Sequence, residues 1–219
     1  LRGIKINDQI DMDDINTTVS KNYGIALDTR FNRQLFGGLS LLKRNNKVPF
    51  GLLAMPDYYE TVNNQDDSYS AYLYWLPNHN WALSAALQYQ DFKTDLPCVR
   101  CLYLYPAEFK SLSLPVNIQY FDPSGFFAGL GMVHVSQEGR VLDFSTLSIS
   151  PEKPESFTLF NIGLGYRLPN RWGVLALHIN NLFDKEFYYQ DDSFKTNDRM
   201  ANPIYIPERT ITGKFVINL

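Results

Sequence analysis

The residues able to do chemistry in this chain are few and scattered: three histidines, one Cys-x-x-C pair and several acidic runs. His79 stands in a polar turn, His134 two residues before Ser136, and His178 in an apolar stretch ahead of Asp184. Hydrolysis needs a base, a nucleophile or activated water, and an orienting carboxylate or amide converging in space. The His134 to Ser136 spacing puts both on one strand face, but neither that pair nor His178 has an assignable third partner. No catalytic residue is therefore expected. Cys98 and Cys101 are the two cysteines. Without a second pair or a His-rich segment nearby, they read as a local disulfide or idle thiols rather than a zinc or redox site. Three acidic groups (Asp11, Asp13 and Asp14; Asp66 and Asp67; Asp191, Asp192 and Asp198) offer oxygen ligands but follow no calcium-loop spacing, and are expected as solvated loop surface. Gly129, Gly131, Gly163 and Gly165 alternate inside apolar segments instead of forming a phosphate-cradling loop, which leaves room for bulky neighbours. No metal and no cofactor is expected.

The elements that position these residues are read from periodicity. Four short polar turns, at 32–34, 77–80, 122–125 and 169–171, are centred about 45 to 47 residues apart, as in a repeated structural unit. Two of them share local sequence: Tyr74, Leu76, Pro77, Asn78 and Trp81 correspond to Tyr166, Leu168, Pro169, Asn170 and Trp172, with one residue fewer in the second. Between turns the chain alternates. Leu112, Leu114, Val116, Ile118 and Tyr120 oppose Ser113, Pro115, Asn117, Gln119 and Phe121; Leu83, Ala85, Leu87 and Tyr89 oppose Ser84, Ala86, Gln88 and Gln90; Phe160, Ile162, Leu164 and Tyr166 oppose Asn161, Gly163, Gly165 and Arg167. Extending this pattern predicts ten strands, near 2–12, 23–31, 35–44, 68–76, 81–91, 110–121, 126–137, 156–168, 172–183 and 208–219.

Composition narrows the class. The chain has 219 residues, 45% hydrophobic and 15% aromatic, enough for one large domain over 1–219. A formal net charge of -3 with dispersed Lys and Arg gives no footprint for nucleic acid. No apolar run approaches the ~20 residues of a spanning helix, but a transmembrane β-barrel escapes that test because only alternate residues face lipid. The first residue is Leu and no leader pattern follows, so a signal peptide has been removed or the segment starts internally.

A soluble β-sandwich also alternates. The discriminating features are connections that switch between three or four residues and fifteen or more, and aromatics gathered at the short-turn end: Phe31, Phe36, Tyr74, Trp75, Trp81, Tyr120, Phe121, Phe126, Tyr166 and Trp172. Short turns at one end, long loops at the other and an interfacial aromatic girdle are the pattern of an outer-membrane barrel. The fold expected is therefore an all-β, antiparallel transmembrane β-barrel. Its candidate lumen-facing residues are Asp28, Arg30, Gln88, Asn117, Gln119, Asn161, Arg167, His178, Asn180 and Lys214, whose mixed charge and amides suit a hydrated interior or a polar solute.

The stretch 172–194, WGVLALHINNLFDKEFYYQDDSF, and 207–219, PERTITGKFVINL, resemble the end of a TonB-dependent receptor barrel. That family commonly shows an Asn-Leu-Phe-Asp-Lys-like run, here Asn181 to Lys185, then an outer loop, a Pro-x-Arg-like start, here Pro207 and Arg209, and a last amphipathic strand. The final strand alternates Ile211, Gly213, Phe215, Ile217 and Leu219 against Thr210, Thr212, Lys214, Val216 and Asn218, similar to the signal read by the barrel-assembly machinery, although Leu replaces the usual terminal aromatic. The resemblance implies ligand uptake across the outer membrane of a Gram-negative bacterium, no enzymatic activity, lipid and lipopolysaccharide as surroundings, and coupling to TonB through an N-terminal region outside these residues. It covers about the last fifty residues. Complete receptors of this family have 22 strands and a plug, so a fragment of a larger barrel is the expectation. Polysaccharide-export porins, with a periplasmic domain before the barrel, are similar in design and are the alternative; a barrel-embedded hydrolase ranks third.

Overall fold

A computed structural model describes residues 18–52, 55–95, 106–143, 148–151, 153–187 and 209–217. They form one antiparallel sheet of ten strands: β1 (Val19–Arg30), β2 (Leu35–Leu52), β3 (Met55–Trp75), β4 (Trp81–Thr94), β5 (Pro106–Phe121), β6 (Phe126–Asp143), β7 (Ser148–Pro151), β8 (Glu155–Arg167), β9 (Gly173–Asn180) and β10 (Thr210–Ile217). Pairing follows the chain from β1 to β10, except that the short β7 branches from β6, which continues to β8. The expected strand at 2–12, the cysteines, and the acidic groups at 11–14 and 191–198 lie outside the described residues. Among those described, no helix is long and apolar enough to cross a membrane.

The nine expected strands from 23–31 onward each overlap a strand of the sheet, but several ends differ and the short β7 was not expected. β2 and β3 run 18 and 21 residues, so most of the expected long connection at 45–67 is paired hairpin, with residues 53–54 between the strands. Asn45 pairs with Gln65, Asn46 with Asn64 and Lys47 with Asn63. A polar ladder of this kind carries no apolar alternation, which is why the periodicity stops short of it. Asp66 and Asp67 accordingly belong to a strand rather than a loop, and they point to opposite faces.

The register sorts side chains onto two faces, since directly paired residues share a face. One face is apolar: across β1 to β10 it carries Leu27 with Leu39, Leu73 with Ala85, Leu83 with Ile118, Ile118 with Leu130, Leu130 with Ile162, Leu164 with Leu177, and Leu175 with Phe215. Much of it is open, including Ile25, Leu39, Leu73, Leu87, Leu130, Leu164, Leu177 and Ile211. The few buried apolar side chains, Val62, Phe92, Phe109, Val135 and Phe157, have the opposite parity and lie on the polar face.

Among the described residues the sheet does not close into a barrel: β1 pairs only with β2 and β10 only with β9. Direction explains why these two edges do not meet as an antiparallel pair. β1 ends at Arg30, just before the turn at Asn32, and β10 ends at Ile217, opposite Gly173, just after the turn at Pro169–Arg171. Both edges therefore run toward the short-turn end.

The short turns share one device. Asn32 Oδ1 accepts the Gln34 and Leu35 amides at 2.8 and 2.9 Å, Asn78 Oδ1 those of Asn80 and Trp81 at 2.9 and 3.1 Å, and Asp122 Oδ1 that of Ser124 at 2.9 Å. These side-chain turns leave the chain reversing within four residues. In the last one Gly125 supplies φ 105° and donates its amide to Asp122 O. Neighbouring turns are laced together: Gln34 Nε2 donates to Pro77 O at 2.8 Å, and Asn80 Nδ2 to Phe121 O at 2.7 Å. The fourth turn departs from its sequence twin, because with one residue fewer Asn170 enters the left-handed region at φ 54° inside a 3-10 turn. Parity differs too: Tyr74 pairs with Ser84 on the polar face, whereas Tyr166 pairs with Phe126 on the apolar face.

Candidate functional site

All ten sequence-predicted residues share the polar face. On β1, Asp28 pairs with Gly38 and Arg30 with Phe36; Gln88 of β4 pairs with Ser70. Asn117 and Gln119 of β5 pair with Gly131 and Gly129 of β6. Asn161 of β8 pairs with Gly131, Arg167 with Val174, His178 of β9 with Gly163 and Thr212, Asn180 with Thr210, and Lys214 of β10 with Ala176. They do not converge on one point. Asp28 accepts a hydrogen bond from the Tyr72 hydroxyl near one edge, while Lys214 lies on the last strand.

A subset does cluster. Asn117, Gln119, Asn161, His178 and Asn180 surround a depression of about 260 Å³ with Phe121 and Phe127. Its floor exists because glycine is present where side chains of adjacent strands lie flat. A Cβ at Gly163 would come 2.9 Å from His178 Nδ1, and one at Gly131 2.9 Å from Asn117 Oδ1. A Cβ at Gly165 would overlap the Phe127 ring. The expected room for bulky neighbours thus has named occupants. Arg167 stacks over Phe121 and Phe127, with its guanidinium carbon 5.4 and 5.7 Å from the ring centroids, and Arg30 lies 5.4 Å over Phe36. The expected aromatic girdle is therefore divided. Trp75, Trp81, Tyr120, Phe126 and Tyr166 sit on the apolar face, but Phe36, Tyr74 and Phe121 have polar-face parity.

The polar face is an amide and hydroxyl lattice. Ser40 and Ser70 hydroxyls are 2.7 Å apart, Gln90 Nε2 donates to Asp66 at 3.1 Å, and Gln137 Nε2 to the Ser111 hydroxyl at 3.1 Å. Such a surface can bind water or a polar solute through neutral donors and acceptors. The histidines do not form a joint centre. His134 pairs with Leu114 and Thr158 on the apolar face, its Nδ1 2.9 Å from Thr158 Oγ1, whereas His178 is on the polar face. Among the described residues no group of three or more metal-binding side chains assembles. A larger groove, about 530 Å³, lies on the apolar face between Leu164, Leu177 and Phe215 over Gly213, and offers shape without polar chemistry.

Sequence reasoning missed the arrangement at Asn181, which falls inside the strand expected at 172–183 but lies just past the end of β9. Asn181 is 3% exposed. Its amide donates to Asn161 Oδ1 at 2.9 Å, its Oδ1 accepts the Lys185 amide at 2.9 Å, and its Nδ2 donates to Lys185 O at 2.9 Å. Left-handed conformations at Asn181 and Asp184, φ 50° and 55°, curl the chain back. Asp184 then meets Arg209 at 3.0 Å, just before β10, and Phe183 packs edge-on against Phe160. The run Asn181 to Lys185 and Arg209 thus meet in space and set the entry of β10. A second feature missed, a charged cluster above the apolar face, depends on register between β4, β5 and β6. Comparison of the chain with protein families, curated proteins and solved structures returns no match.

Proposed function

We propose that the chain is part of the wall of a Gram-negative outer-membrane β-barrel that transports a ligand, with the apolar face toward lipid and the polar face toward an aqueous interior. The observation that carries this reading is the open apolar face. A sheet that is apolar on one side must bury that side against another layer, and soluble monomers rarely leave a continuous patch beyond several hundred Å² uncovered. Here the face spans β1 to β10 without a covering element among the described residues. It is also banded. On β5 it runs from Tyr120 through Ile118, Val116, Leu114 and Leu112 and then changes to Lys110; on β4 it runs from Trp81 to Tyr89 and then changes to Asp91. Aromatics at one border and charge at the other match a bilayer better than a protein partner, for which no such banding is needed.

Uptake of a polar ligand is supported by the amide-rich depression and by the resemblance of the chain's last fifty residues to TonB-dependent receptors. In a barrel of that kind each edge must be paired. Because β1 and β10 run the same way, antiparallel closure needs an odd number of further strands between them.

The experiment is recovery of the full chain from cells and comparison of aqueous and detergent fractions, followed by refolding into vesicles. Partition into detergent and folding into vesicles are expected; a folded, monodisperse, detergent-free monomer would overturn the membrane reading. Solute entry into the vesicles then tests transport, while polysaccharide export is favoured instead if the upstream sequence encodes helical repeats rather than a plug.

A further inference from the structure

The outward-facing ladder changes from apolar to charged in a single step on four neighbouring strands: Leu41 to Lys43 on β2, Tyr69 to Asp67 on β3, Tyr89 to Asp91 on β4, and Leu112 to Lys110 on β5. One step further on β4 and β5, Lys93 faces Glu108, which faces Arg140 of β6. Three cations thereby converge on one carboxylate. Lys110 Nζ, Lys93 Nζ and an Arg140 guanidinium nitrogen are 3.5, 3.6 and 3.8 Å from Glu108. Asp91 and Glu138 complete the cluster, at 3.2 Å from Lys93 and 3.8 Å from Lys110.

Formal charge in this cluster balances, but its presentation does not. The Lys93, Lys110 and Arg140 side chains are 50, 33 and 54% exposed, whereas Asp91 and Glu108 are 21 and 22%; the third carboxylate, Glu138, is 62% exposed beside Lys110, so three cations and one anion face outward. Asp91 and Glu108 sit beneath and hold the cationic heads outward. The level is also specific. Outward-facing residues on a strand recur every ~6.6 Å, which at a tilt of about 40° is roughly 5 Å along the membrane normal. Lys110 therefore stands about 5 Å above the last apolar row, inside a headgroup layer roughly 5 to 8 Å thick, and Lys93 and Arg140 about 10 Å above it, just past the outer border of that layer.

Resting on the membrane reading above, we propose that Lys93, Lys110 and Arg140 form a site for the phosphorylated headgroup of an outer-leaflet lipid. The acyl chains of that lipid lie along the apolar ladder of Leu87, Tyr89, Leu112 and Leu114 below. Phosphate oxygens accept from the two ammonium groups and the guanidinium, a charge-assisted pairing, while Glu108 keeps the three heads at phosphate spacing in the absence of lipid.

The test uses the full chain folded in neutral detergent, with bisphosphorylated lipid A as the probe and native mass spectrometry as the readout. Wild type should retain lipid A in preference to its dephosphorylated form. The triple variant Lys93→Gln, Lys110→Gln, Arg140→Gln should lose roughly 100-fold in affinity, from about fivefold per basic residue near a surface, with its β circular dichroism unchanged. Lys93→Arg with Lys110→Arg should retain binding, and Lys43→Gln, outside the cluster, should change it little. Equal affinity of wild type and triple variant in folded protein would overturn the site while leaving the membrane reading intact. Displacement of lipid A by equimolar inorganic phosphate would also overturn it, by making the site one for a free anion. A chain that folds as a monomer in water and never enters vesicles would instead remove the reading on which the site rests.

Discussion

Leu130→Arg separates a lipid-facing sheet from a water-facing one. Leu130 is 46% exposed and pairs with Ile118 and Ile162, in the interior of the apolar band between Phe126 and His134. On the surface of a soluble protein, replacing so open a side chain with Arg changes stability by about 0.5 kcal/mol or less. Near a bilayer midplane the same change costs about 2 to 4 kcal/mol, a factor of roughly 30 to 700 in the folding equilibrium. The internal control is Gln119→Arg, an exposed polar-face position opposite Gly129, where a Cβ would have ordinary van der Waals room and the new charge meets water. Folding equilibria in vesicles, followed by tryptophan fluorescence against urea, give both values. A Leu130→Arg cost indistinguishable from that of Gln119→Arg would refute the assignment of faces, and a larger cost at Gln119 would invert it.

Three further outcomes test local features. Gly165→Ala should destabilise the sheet by about 1 to 3 kcal/mol through overpacking, because the new methyl meets the Phe127 ring and lies 2.8 Å from Leu175 O; co-substitution Phe127→Ala should recover part of the loss in the same unfolding assay. Asn181→Ala should cost about 1 to 3 kcal/mol, leaving the Lys185 amide and carbonyl without their partner, whereas Asp184→Ala, at a half-open ion pair with Arg209, should cost at most about 1 kcal/mol; equal costs would show that the curl is not held by Asn181. At the turn, the Ser124 hydroxyl and amide together with the Tyr120 hydroxyl hold the Asp122 carboxyl below its ordinary value of 3.8, so its contribution is present above that value and is lost as pH falls through the lower folded value. Wild type and Asp122→Asn, compared by unfolding from pH 7 downward, should differ at neutral pH and converge as pH falls below 3.8 and through the depressed folded value; a gap that persists in acid would assign the effect to turn geometry rather than charge.

The sheet was legible where one face is apolar, because a period of two in Leu112, Leu114, Val116 and Ile118 needs no tertiary information. It was illegible where both faces are polar. Residues 45–47 and 63–65 pair along β2 and β3 with Asn, Gln and Lys on both sides, a composition shared with loops. The polar-face set was readable for the same reason as the apolar one, since Asn117, Asn161 and His178 fall between apolar neighbours. Their grouping was not, because it depends on which strand places a glycine opposite them. Lys93, Glu108 and Arg140 lie on three strands and are brought together by register alone. The aromatics misled in a different way: their number at the short-turn end was readable and the alternation already set Phe121 opposite Tyr120, but Phe36, between Leu35 and Gly37, gave no such sign, and the stacking of Arg30 and Arg167 on these rings depends on strand pairing.

On the proposed membrane reading, the contact between the Asn181 to Lys185 run and Arg209 has a physical consequence. A strand leaving the top of a barrel must reverse and re-enter beside itself, with its backbone polar groups satisfied near the lipid boundary, where an open amide is costly. Asn181 answers this locally, since one buried side chain both accepts from and donates to the Lys185 backbone, while its own amide is tied to the preceding strand at Asn161. Asp184 and Arg209 then fix the re-entry point, and the register that follows sets Thr210 opposite Asn180 and Ile211 opposite Ile179. A slip of one residue there would turn Ile211, Phe215 and Ile217 to the polar face and Lys214 to the apolar face. The cost of such a slip rises steeply in a membrane and is small for an exposed edge in water. A clasp that specifies register at this edge strand is therefore worth most in a protein whose outer face is solvated by lipid.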